Sequence, residues 1–225
     1  MGEYYNWVNV DKKEYICPND FGYGNKRTES CARSNEVLKA LYSLLSSEWK
    51  GCRIFWMGDE ISLPEESNLE LFSILKVECE ALGYGKCNLF DTVYETYRNV
   101  SALFKKADKT VKEEIGYYIE DLRRGENDLV NEYGVDPLNP YAGLFQKESR
   151  DFRYVINVTK KVGYSFESTK ILYMDGSESD YADPLPVLLG YGNYHKQGEW
   201  IGDIIDVANE LPKGITLLKE ISLDW

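Results

Sequence analysis

At 225 residues the chain is long enough to bury roughly 70% or more of the surface its unfolded form exposes, so it needs no staple to hold a core. Its 26 basic and 38 acidic side chains leave a net charge of −12, which repels phosphate backbones and anionic lipid and argues against nucleic-acid and membrane partners. Apolar residues make up 43%, but 18 Tyr, 8 Phe and 5 Trp supply large buried areas and exclude a disordered chain.

Cys17, Cys31, Cys52, Cys79 and Cys87 are odd in number and widely spaced, with no C-x-x-C pair. They indicate neither a disulfide framework nor a zinc site, and Cys52 and Cys79 read as small core residues. The N-terminus lacks the basic and apolar regions of a signal peptide. Asn6 stands where a myristoylation pattern needs Ser or Thr. No apolar run reaches about 18 residues. These features together predict a cytoplasmic protein.

In chain order, Tyr4 to Val10 is aromatic and β-branched, Asp11-Lys12-Lys13 is a polar turn, and Glu14 to Ile16 resumes the strand, which predicts a hairpin. Residues 18–25 read as a loop from their Pro, Gly and Asn content. Ser34 is placed to cap a helix whose Val37, Leu38, Leu41, Leu44 and Leu45 form one stripe. Arg53 to Met57 predicts a buried strand. Leu69, Phe72, Leu75, Cys79 and Leu82 predict a second helix stopped by Gly83. A third helix fits Val93, Tyr97, Val100 and Phe104, and a fourth fits Val111, Ile115, Tyr118, Ile119 and Leu122. Their mixed charges describe a solvated surface.

After Asn139-Pro140 the pattern returns to strands, at Phe152–Val158, Val162–Phe166, Ile171–Met174 and Ile215–Leu218. Asp183-Pro184-Leu185-Pro186 is expected to be extended, because proline restricts itself and the residue before it. The order of strands, helices, then strands predicts a single α+β domain. Its mostly antiparallel sheet would come from strand regions near 1–60 and 150–225, with a layer of about four helices inserted near 65–140.

Two patterns occur twice in the same order. Val8-Asn9-Val10-Asp11-Lys12-Lys13 is matched by Ile156-Asn157-Val158-Thr159-Lys160-Lys161, each followed by a tyrosine, Tyr15 or Tyr164, with one extra residue in the second. Glu48-Trp49-Lys50-Gly51-Cys52-Arg53-Ile54 is matched by Glu199-Trp200-Ile201-Gly202-Asp203-Ile204-Ile205. Such collinear matches leave two readings open, an internal duplication or chance recurrence in a Lys- and Tyr-rich chain. The same segments, with Gly58-Asp59-Glu60, resemble an uncharacterised group of bacterial proteins that carry a V-N-x-D/T-K-K-E-Y hairpin and a W-x-G-D-x-I-x-x-x-G-D segment. Cys52 replaces the Asp of that segment, and Asp203 keeps it. The resemblance implies kinship and a bacterial setting and attaches no activity.

Chemistry-bearing signals are sparse. A single histidine, His195, excludes most His-based metal sites and makes any nucleophilic triad depend on one ring. It reads as an exposed loop residue or a general base. Three Gly-Tyr-Gly triplets, at 22–24, 83–85 and 190–192, form no phosphate-binding fingerprint and read as turns. Two carboxylate groups follow apolar strands, Asp59-Glu60 after residues 53–57 and Asp203 with Asp206 around Ile204-Ile205, and they are either ordinary turn residues or an acid–base or Mg²⁺-holding set. Trp7, Trp49, Trp56 and Trp200 lie in or beside the echoed segments with Lys12 and Lys13 nearby, as core packing or as a pocket for an anionic or planar ligand.

The candidate pocket is therefore Trp7, Lys12, Lys13, Trp49, Asp59, Glu60, His195, Trp200 and Asp203. No metal or cofactor is expected. The favoured function is a non-enzymatic interaction protein, an immunity-like acidic partner of a basic protein. The alternative is a small carboxylate-dependent hydrolase or transferase around Asp59 and Asp203.

Overall fold

The computed structural model describes residues 3–33, 35–64, 67–83, 88–107, 147–193 and 197–223; the expected fourth helix and His195 lie outside them. Strands β1 (Tyr5–Asn9) and β2 (Glu14–Ile16) form the expected hairpin, with Val8 facing Tyr15. Tyr5 and Trp7 enter one apolar cluster while Val8 and Val10 enter another. Burial of both faces removes the need for strict polar alternation.

Helix α1 (Arg27–Ser30) follows a 3-10 turn over Pro18–Phe21, where sequence pattern suggested only a loop. Helix α2 (Glu36–Leu45) buries its predicted stripe, but its cap is Asn35, whose Oδ1 accepts the Val37 N–H at 2.8 Å. Strand β3 (Ile54–Gly58) runs antiparallel to β1 with Trp56 facing Trp7. Helix α3 (Glu70–Ala81) turns Leu71, Phe72, Leu75 and Cys79 inward. Cys79 is disulfide-bonded, which the odd cysteine count did not suggest, whereas Cys17, Cys31 and Cys52 are buried and free.

Helix α4 (Leu89–Thr96) stops at Tyr97, so the predicted run through Val100 and Phe104 is broken. The chain turns extended there because β4 (Arg98–Asn99) pairs in parallel with β2. Val100 and Phe104 are buried from either end of a 3-10 turn instead. Sheet pairing here overrides helical periodicity.

The second half holds β5 (Tyr154–Asn157), β6 (Val162–Ser165), β7 (Lys170–Tyr173), α5 (Leu185–Leu189), β8 (Gly190–Tyr191), β9 (Ile205–Ala208), β10 (Thr216–Leu217) and β11 (Glu220–Leu223). The segment expected to be extended instead starts α5. Pro184 caps it and Pro186 falls in the first turn, where a missing N–H costs nothing. Asp183 Oδ1 accepts the Leu185 N–H at 2.9 Å.

Among the described residues, two of the three sheets repeat one arrangement. The first has the order β4-β2-β1-β3-β8 and the second β10-β6-β5-β9, so β4, β2, β1 and β3 correspond to β10, β6, β5 and β9. In each, the first two pairings from the central strand are antiparallel and the outer one is parallel. Registers agree as well: Asn9 faces Glu14 and Ile54, and Asn157 faces Val162 and Ile205. This register corrects the sequence alignment in one detail. No residue is inserted, Tyr15 corresponds to Gly163, and Ile16 corresponds to Tyr164.

The turns match too. Asn9 Oδ1 accepts the Lys12 N–H at 3.0 Å, and Asn157 Oδ1 accepts the Lys160 N–H at 2.8 Å. Lys13 and Lys161 sit at φ 55° and 57°, the left-handed geometry that closes both hairpins. Between β3 and β4 the first repeat inserts α3 and α4, where the second has only residues 209–215. The helices therefore belong to one repeat. No helix among the described residues is long and apolar enough to cross a membrane.

Candidate functional site

The repeats meet where Arg53 and Ile204, equivalent residues, form an antiparallel bridge with each other. Pairing of a position with its own counterpart is the signature of two-fold symmetry. Each is held by the turn of its own hairpin: Asp11 Oδ2 accepts the Arg53 N–H at 2.6 Å, and Thr159 Oγ1 accepts the Ile204 N–H at 3.0 Å. A shallow recess of about 440 Å³ lies over this junction, lined by the matched pairs Asp11 and Thr159, Gly51 and Gly202. Its one guanidinium, Arg53, is occupied by Asp11 and by Glu70 at 2.7 Å. Burial pushes the Asp11 carboxyl up, but the Arg53 hydrogen bonds outweigh it and hold the group below its usual value. The single guanidinium is spent on two carboxylates, so the recess keeps a net charge of about −1 and offers no free cation to a ligand.

The predicted pocket does not assemble as one site. Trp7 and Trp49 are fully buried in the main core. Lys13 reaches Glu78 on α3 at 2.9 Å, and Lys12 is exposed in its turn. Asp59 and Glu60 form the turn beyond the far end of β3, where Asp59 Oδ1 accepts the Tyr4 N–H at 2.9 Å. Asp203 sits at the near end, beside the Arg53–Ile204 bridge. Six residues of extended chain separate Arg53 from Asp59, about 20 Å, so Asp59 and Asp203 do not share a cleft. Asp203 Oδ2 accepts from Asn157 Nδ2 at 2.7 Å and lies 3.4 Å from Lys160 Nζ, which makes it a structural acceptor.

Trp200, a member of the predicted set, borders a cavity. A recess of about 380 Å³ lies between Val187 and Leu188 of α5, residues 197–200, and Leu218 to Ser222. The contrast with its counterpart explains what is open there. Trp49 donates its indole N–H to Glu14 Oε2 at 2.6 Å, and Glu14 also takes Arg98. The second repeat has Val162 and Thr216 at those two places. The Trp200 indole N–H accordingly has no acceptor among the described residues, although the ring is only 3% exposed. Exposed Glu199 and Glu220 flank the recess, and neither is ion-paired among the described residues.

One buried polar cluster escaped sequence reasoning. Asp183 accepts from the hydroxyls of Tyr42 on α2 and Tyr164 on β6, the latter at 2.7 Å, and all three are buried. Burial pushes the Asp183 carboxyl up, against hydrogen bonds from both tyrosines and Leu185 and against the Arg33 charge. The three residues are 19 to 141 positions apart, and no local spacing signals such a cluster. With every acceptor oxygen engaged, it ties the repeats together.

Fold and site together define an α+β protein built on a repeated four-strand arrangement, with an acidic recess over a single tryptophan. Comparison with protein-family models, with curated proteins and with solved structures finds no match to the chain.

Proposed function

We propose that the protein is a non-catalytic interaction protein that binds a basic protein, and that the recess over Trp200 is where it does so. One observation carries the reading: an apolar floor of Leu188, Leu218 and Ile221 meets an indole N–H that has no acceptor among the described residues, between two exposed carboxylates that are not ion-paired among them. A basic side chain satisfies the carboxylates, and its stem and backbone satisfy the floor and the donor. The net charge of −12 steers such a partner toward the chain and disfavours nucleic acid. The same reading places the protein in a bacterial cytoplasm, neutralising its partner as immunity proteins do.

A pull-down from source cells with the full-length chain, beside the Glu199→Lys/Glu220→Lys chain, tests it. The expected result is a stoichiometric basic protein retained by the first and lost by the second. No basic partner, or equal capture by both chains, would overturn the reading.

A further inference from the structure

The recess has a backbone wall as well as side chains. Strand β11 pairs in parallel with β7, Glu220 opposite Lys170 and Ile221 opposite Ile171. The Lys170 N–H donates to Lys219 O at 2.9 Å. In a parallel ladder alternate residues spend both their N–H and C=O on one neighbour. That phase assigns Ile221 to β7 and turns the backbone groups of Glu220 and Ser222 to the opposite side. No strand pairs with β11 on that side among the described residues, and Glu220, Ile221 and Ser222 line the recess that holds Trp200.

Resting on the function proposed above, we propose that the partner delivers an extended segment that adds as a strand to the open edge of β11, with a Lys or Arg directed between Glu199 and Glu220. Glu220 and Ser222 together present two donors and two acceptors, enough to fix the register of a short strand. The Trp200 indole N–H takes a carbonyl of the same segment. Charge selects the occupant. A second copy of this chain would bring Glu220 toward Glu220 and another −12 of charge, which opposes pairing at this edge; a basic segment meets complementary charge instead.

The probe is an acetylated, amidated heptapeptide, Thr-Val-Arg-Val-Arg-Val-Thr, titrated calorimetrically into the full-length chain. It is compared with two versions N-methylated on alternate residues, one on the valines and one on the arginines. Charge and composition stay nearly constant, while each version loses the N–H groups of one edge. Strand addition predicts that one version loses at least tenfold in affinity and the other binds like the parent. It also predicts that Ser222→Pro, which deletes an N–H that β7 does not use, weakens the parent peptide equally and leaves the melting temperature unchanged. Equal affinity for all three peptides would overturn strand addition and leave a charge-driven interaction standing. If not even the parent peptide binds, both the strand and the binding reading fall. Self-association of the chain that Ser222→Pro abolishes would assign the edge to a second copy and overturn the proposal.

Discussion

Asn9 and Asn157 hold the same place in two hairpins of matching register, yet only Asn157 has an acceptor for its amide nitrogen. Asp203 supplies it, and the corresponding residue in the first repeat is Cys52. Asn9 Nδ2 is fully buried without a hydrogen bond among the described residues. The two repeats thus share a backbone and differ in which of its polar groups are satisfied, and that difference is measurable.

Asp203→Ala orphans the Asn157 amide inside the protein and is expected to cost about 1–3 kcal/mol. Cys52→Ala breaks no hydrogen bond to Asn9, because none exists, and is expected to cost about 1 kcal/mol or less for the lost sulfur. Urea denaturation of the two variants checks the asymmetry. Equal losses would mean that the Asn157–Asp203 bond adds nothing to stability.

A second comparison uses Glu14 and Arg98. Glu14 is buried with Trp49 and Arg98 as its partners, while Arg98 is about one-third exposed, 35% of its side chain. Arg98→Thr, which copies Thr216, leaves a buried carboxylate without its cation and is expected to cost about 2 kcal/mol, given the exposure of the arginine. Adding Glu14→Val, which copies Val162, removes the stranded charge. The double variant is therefore expected to be more stable than Arg98→Thr alone, as a double-mutant cycle would record.

The Tyr42–Asp183–Tyr164 cluster gives stability a pH dependence of known sign. Its carboxyl is raised in the folded state, first by burial. The stability it contributes is fully present below the unfolded value of about 4 and is lost as pH rises through the folded value. Asp183→Asn removes that slope, which denaturation at several pH values between acid and neutral would reveal. Asp183→Ala strands two buried hydroxyls and the Leu185 N–H, so it is expected to cost about 3 kcal/mol or more at every pH.

Hairpin, α2 stripe and β3 were legible because each is written in local pattern, and the two echoed segments mark structurally equivalent strands and turns. What local pattern missed has physical causes. Tyr97 leaves the helix because β4 finds an edge on β2, a contact across more than 80 residues. Pro184 and Pro186 misled because proline forbids helix interiors but suits a first turn. Trp200 is legible as a candidate, yet the walls of its recess are not, since the prolines of α5 suggest extended chain and no local pattern marks β11. Asp59 and Asp203 look alike in sequence, each following an apolar run, but Asp59 falls beyond one end of β3 and Asp203 beside the other.

If the recess over Trp200 binds a basic segment, its affinity is electrostatically assisted. Raising salt from about 0.05 M to 0.5 M shortens the Debye length severalfold and is expected to weaken binding of the arginine heptapeptide markedly. Glu80→Lys on the exposed face of α3 carries the same charge change as Glu220→Lys. It is expected to leave the peptide affinity within about twofold, and calorimetry on the two variants separates a local site from diffuse attraction.

The most direct measurement is the indole ¹H–¹⁵N spectrum of the full-length chain during titration with the arginine heptapeptide, with the Trp200 signal assigned by its loss in Trp200→Phe. The Trp200 resonance is expected to move downfield saturably as its N–H gains an acceptor, while that of Trp49, already bonded to Glu14, stays in place. A Trp200 signal that does not move, or one that moves no more than the Trp49 signal, would contradict the assignment of this recess as the binding site.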